Sequence, residues 1–134
     1  MVPAIERMGV DYSPHGAPLP PGAPPEARAL RHKAVLQGLQ LALADEDDWV
    51  AAMATTACEL HAAFGYFHWT GFYRCAGPQP DVLVVGPYQG SHCCLRIPFS
   101  RGVCGAAARE RASQLVPDVH AFPGHIACAS RCRC

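Results

Sequence analysis

The sequence predicts an α+β fold, two helices followed by an antiparallel sheet. Three observations carry this. Residues 26–44 and 49–64 place apolar side chains at helical spacing. Residues 66–74 and 94–99 alternate instead, with the period of a half-buried strand. Between them, 81–85 is a short continuous apolar run, as a central strand would be. Helices first and strands after, rather than the two in alternation, is the α+β pattern.

Residues 1–25 hold seven of the thirteen prolines and end in the run PLPPGAPP. Proline at that density lacks the amide donors of a helix or central strand. The segment reads as a disordered or polyproline-like tail, and residues 26–134 as the folded domain. In the first helix, Leu36, Leu39 and Leu43 form the apolar repeat and Gly38 weakens the middle. The acidic cluster 45–48 is placed to cap and charge the next helix. That helix carries Trp49, Met53, Ala57, Leu60 and Phe64 as its stripe, with Cys58 expected as a small core residue.

Gly65 should stop the second helix. In the strand over 66–74, Trp69 and Tyr73 share one face, and His68, Thr70 and Phe72 the other. Residues 75–80 form a turn. Gly86 and Pro87 should end the strand over 81–85, and Gln89-Gly90 should turn the chain. In 94–99, Leu95, Ile97 and Phe99 should face the core, with Cys94 and Arg96 opposite. A short helix over 103–112 carries Cys104 in its first turn. Residues 116–119 read as a short strand or turn, and the loop 122–124 delivers His125 and Cys128.

The 134 residues support one domain. Eleven basic residues balance eleven acidic ones, so no global field draws the chain to nucleic acid or an anionic membrane. No run has transmembrane length, and no secretory signal opens the chain. The expected location is the cytoplasm. Eight cysteines are many for this length. Without export they read as redox, metal or core residues rather than a secreted disulfide framework.

Four of those cysteines fall within residues 86–128. This stretch also contains GPYQG, then Cys94, then RIPFSRGVCG, then VPDVHAFPGHIAC, with WTGFY upstream. Together these motifs resemble the free methionine-(R)-sulfoxide reductases, a branch of the GAF-domain superfamily, over roughly residues 48–128. The resemblance implies an antiparallel sheet with two long N-terminal helices packed on one face and ligand loops on the other. It implies that Cys128 attacks the substrate, that Cys94 is its partner in a disulfide, and that Cys104 is the third thiol, with the order of Cys104 and Cys128 left open. Trp69 and Tyr73 match aromatic residues of the family's pocket. No bound cofactor is implied; thioredoxin is the implied reductant, in defence against oxidative stress, and a homodimer is allowed. After HIAC the family continues with an acidic, serine-rich segment that binds the substrate ammonium, then further strands and a closing helix. This chain reads ASRCRC there, so the expectation is an incomplete domain and a weaker catalyst.

The residues themselves fit that chemistry. A thiolate takes the oxygen from a sulfoxide and becomes a sulfenic acid. A second thiol condenses with it to a disulfide, which a dithiol reductant reopens by exchange. Physical reasoning alone leaves the first attacker open. Cys104 near a helix N-terminus should gain thiolate character from the helix dipole; Cys128 should gain it from a charged His125. Two other readings stand beside this one. The first is a non-catalytic GAF-type ligand-binding or interaction module. The second is a zinc-stabilised protein using His92, Cys93, Cys94, Cys128, Cys132 and Cys134, though no Cys-x-x-Cys pair exists.

Overall fold

The computed structural model describes residues 16–125 apart from Gly77 and Gln79. Helix α1 spans Pro25–Ala42, α2 Trp49–Ala63 and α3 Gly102–Glu110. Strands β1 (Trp69–Arg74), β2 (Val82–Gly90) and β3 (Arg96–Pro98) form one antiparallel sheet in the order β1-β2-β3. The apolar run thus becomes the central strand, as expected. Helix α2 lies on β1 and β2, α1 packs on α2, and α3 meets β3 and β2.

Each helix start has a local cause. Proline at the first position of α1 lacks an N–H that would have had no partner anyway. Asp48 caps α2, its Oδ1 accepting from the N–H of Val50 at 2.7 Å and of Ala51 at 3.1 Å. The α1–α2 core is built on Val35, Ala63 and Phe64, with Leu19, Leu39, Leu60, Tyr66 and Phe67 around them. Phe64 is fully buried, its ring 4.4 Å from His32 and 4.8 Å from Phe67.

Several expectations need correction. The tail expected through residue 25 is held to the domain at its end. Leu19 bridges Phe64, its N–H donating to Ala63 and its carbonyl accepting from Gly65, each at 2.9 Å. The prolines do not prevent this, because leucine supplies the donor. Residues 1–15 of that tail lie outside the described part. Val35 rather than Leu36 is the buried anchor of α1; Leu36 is 57% exposed. Trp49 is also exposed, its ring meeting the Arg74 guanidinium at 5.0 Å. Cys58 is exposed and not a core residue.

The sheet corrects three more. Tyr66 and Phe67 are drawn into the Phe64 cluster, so β1 begins only at Trp69. Gly86 and Pro87 do not end β2. Gly71 pairs with Tyr88 but Tyr73 with Val85, so β2 holds an extra residue there. A bulge accommodates a proline that has no ladder donor. Strand β3 is shorter than expected; Leu95 precedes its ladder and is exposed, while Ile97 is buried. Helix α3 ends early because Arg111 turns left-handed at φ 51°. Of the strand or turn expected over residues 116–119, the turn is found, a 3-10 turn at Val119–Ala121 capped by Asp118.

Candidate functional site

Strand β1 separates two environments. On one face Thr70 Oγ1 lies 3.3 Å from His61 Nδ1 of α2, and Arg74 reaches Trp49 of α2. On the other face are Trp69, Gly71 and Tyr73. The Trp69 ring stacks on Tyr73 at 5.6 Å and on Tyr88 at 5.5 Å, with interplanar angles of 25° and 20°. Gly71 makes this trio possible. A Cβ there would lie 2.3 Å from the Tyr88 Cβ, which no real contact allows. The result is an aromatic wall on the face away from α2. The buried Trp69 Nε1 has no hydrogen-bond partner among the described residues, so it is a donor available to a ligand.

The thiols lie beside this wall. The Tyr73 hydroxyl donates to the Cys94 carbonyl at 2.7 Å. Cys94 is disulfide-bonded, whereas Cys58, Cys75, Cys93 and Cys104 are free thiols. Cys93 is 5% exposed. Cys104 is half-buried in the first turn of α3. That helix sits close over β3, since a Cβ on Gly105 would come within 2.6 Å of the Pro98 carbonyl oxygen.

Burial holds the Tyr73 hydroxyl protonated, well above the ordinary phenol range. The adjacent Cys93 thiol reinforces this, followed by Cys104 and Tyr88. Burial also pushes the Cys104 thiol up. Its own backbone N–H lowers it, and neighbouring Cys93 raises it again. The expected thiolate at the helix N-terminus is thus overturned: desolvation outweighs the favourable amide. At rest Cys104 is a protonated thiol.

Of the residues singled out from sequence, Trp69, Tyr73, Cys94 and Cys104 come together around this wall. Cys128, Cys132 and Cys134, and the expected Cys94–Cys128 pair, lie outside the described residues. Asp118 holds a turn as expected, its Oδ1 accepting from the His120 N–H at 3.0 Å. It lines a separate pocket of about 300 Å³ with Val116, Pro117, Val119 and His120. Sequence reasoning missed Tyr88 and passed over Cys93 except as a metal ligand. The signal for Tyr88 was Gly71, a glycine in a strand, which marks close approach of another group. Among the described residues no group of three His, Cys, Asp or Glu is placed to hold a metal ion. Among them, too, no helix is long and apolar enough to cross a membrane.

Comparison with known proteins adds kinship to this geometry. No family model matches the chain. It is 43% identical over 86 residues to the free methionine-R-sulfoxide reductase of Escherichia coli, covering 64% of this chain and 50% of that one. The X-ray structure of the free methionine-R-sulfoxide reductase from Neisseria meningitidis in complex with its substrate superposes with a TM-score of 0.71 at 45% identity. That match covers 87% of this chain and 66% of that one. A solved GAF-domain structure matches with a TM-score of 0.70 at 33% identity, covering 76% of this chain and 60% of that one. The chain spans about half the length of the curated relatives it matches.

Proposed function

This chain is a GAF-fold homologue of the free methionine-R-sulfoxide reductases, and from that premise we propose that it reduces free methionine-(R)-sulfoxide to methionine. The observation that carries the reading is the hydrogen bond from the Tyr73 hydroxyl to the Cys94 carbonyl, which ties the aromatic wall to the backbone of a disulfide-bonded cysteine.

In this reading the wall of Trp69, Tyr73 and Tyr88 receives the apolar end of the substrate. Thioether and methyl groups pack well against aromatic rings. Trp69 Nε1, buried without a partner among the described residues, donates to a polar group of the ligand. A cysteine thiolate attacks the sulfoxide sulfur and accepts its oxygen. Methionine leaves, and the cysteine becomes a sulfenic acid. A second thiol displaces water from that sulfur, giving a disulfide. Thus two thiols are oxidised, one sulfoxide is reduced, and two protons leave with the oxygen. We assign attack to Cys128 and resolution to Cys94, with Cys104 as the third thiol. The raised Cys104 thiol supports a later rather than a first role for it. Thioredoxin then reopens the disulfide by exchange. The proposed setting is the cytoplasm, with residues 26–134 forming the GAF unit, as a monomer or homodimer.

A coupled assay tests this, following NADPH consumption through thioredoxin reductase and thioredoxin. Free methionine-(R)-sulfoxide should support turnover, and N-acetylated, amide-capped substrate should not. No turnover with either, on protein shown to be folded, would assign the chain to the non-catalytic binding modules instead.

A further inference from the structure

Helix α1 turns an uncharged, leucine-rich side to solvent. The outer side of a surface helix ordinarily carries charge, yet residues 34–44 contain no charged residue at all. Three of the seven large hydrophobic side chains exposed among the described residues lie on this helix. They are Leu30 at 69%, Leu36 at 57% and Leu41 at 80%. Leu30 and Leu41 are eleven residues apart, about three full turns, so they share one stripe. Exposed Ala34 and Gln37 continue that stripe, four and seven residues after Leu30. Val35, on the other side of the helix, packs inward.

The two ends of α1 carry opposite charge. Its first half holds Arg28, Arg31 and Lys33 against one acidic residue, Glu26. Just past its last residue come Asp45, Glu46, Asp47 and Asp48. Arg31 is turned inward, donating to the Ala17 and Ala63 carbonyls at 3.2 and 3.3 Å. Arg28 and Lys33 are exposed, and so are all four residues of the acidic loop. The uncharged stripe runs from the basic end to the acidic one.

We propose that this side of α1 docks on the same side of α1 in a second copy of the chain, as an antiparallel two-fold contact. Leu30 of each copy then lies against Leu41 of the other. The basic turn of each copy faces the acidic loop of the other. A parallel contact would set base against base and acid against acid, which like-charge repulsion disfavours. Because the same patch is used on both copies, the contact closes at two and leads to no filament. One helix pair is a small interface, so the dimer forms with rising concentration and is not obligate. The contact also leaves the thiols free. Helix α1 packs on α2, and α2 on β1 and β2, while the aromatic wall lies on the face of the sheet away from α2. The pairing therefore holds whether or not the chain reduces a sulfoxide.

Sedimentation velocity over a concentration series tests this on the full chain, kept in reductant so that no intermolecular disulfide forms. The expected result is a monomer passing to a dimer and no further. Leu30→Glu and Leu41→Glu replace exposed side chains and keep a good helix former, so circular dichroism should not change. Each should weaken the dimer by about tenfold or more. Lys33→Glu sets acid against acid in the antiparallel contact and should weaken it by about threefold. A folded chain that stays monomeric throughout overturns the proposal, and so does a dimer indifferent to both leucine substitutions. A dimer weakened by the leucine substitutions but not by Lys33→Glu overturns the antiparallel arrangement.

Discussion

The two faces of the small sheet are built from alternate residues of the same strands, yet they do different work. Against α2, β1 presents Thr70 and Arg74 to His61 and Trp49, and just before it Phe64 anchors the α1–α2 core. On the other face it presents Trp69 and Tyr73 to Tyr88 and the thiols. The first face packs the sheet on the helices; the second gathers the aromatic wall and the thiols. Cys58 is exposed on helix α2, whereas Cys93, next to the disulfide-bonded Cys94, is buried.

Removing the anchor of the first face should have the largest effect. Phe64→Ala deletes a fully buried ring with aromatic neighbours and should cost about 3–5 kcal/mol in urea denaturation. A loss below about 1 kcal/mol would show that the core lies elsewhere. Gly71→Ala strikes the other face. Its Cβ would collide with Tyr88, and near-ultraviolet circular dichroism should show the Trp69–Tyr88 stack disrupted. Activity should fall more steeply than stability, by about tenfold or more. An unchanged aromatic spectrum would contradict the packing described.

Tyr73→Phe keeps the ring and removes the hydroxyl that donates to Cys94. The cost should be about 0.5–1.5 kcal/mol, with a drop in kcat. A variant as active as the parent would detach the wall from the thiols. Asp48→Ala, on the α2 side, should cost about 1 kcal/mol through the lost cap, and leave thiol reactivity unchanged.

The smallest effect is one of pH. Both Cys104 and Tyr73 are held protonated by burial. Because these pKa values are raised on folding, the unfolded chain ionises first as pH rises. The folded state then binds more protons than the unfolded one, and stability falls. The loss should begin near pH ~8.5, where an ordinary thiol ionises, and Cys104→Ser should remove the thiol's part of it. Stability rising through that window would reverse the sign argued here.

Much of the second face was legible in sequence because strand alternation is strict. Trp69 and Tyr73, four apart in an aromatic run, had to share a side. The motifs around Cys94 and Cys104 located the thiols. What escaped depended on partners far along the chain. Tyr88 joins the wall only because a bulge carries β2 past Pro87 and because Gly71 leaves space. Leu19 pairs across to Phe64 from within a proline-rich run. The raised Cys104 thiol reflects burial outweighing a helix N-terminus, a balance that needs the packed structure. Leu36 and Val35 differ by one residue in a helix, and a leucine count alone pointed to the wrong one.

The claim that the face away from α2 performs sulfoxide reduction is tested most directly by a turnover without reductant. The fully reduced chain is mixed with excess free methionine-(R)-sulfoxide, released methionine is counted, and the thiols are mapped. The account predicts at least about one methionine per chain, with the Cys94 thiol consumed and the Cys58 thiol still alkylatable. Methionine release with Cys94 still free, or no release from a folded chain with all its thiols reduced, would contradict it.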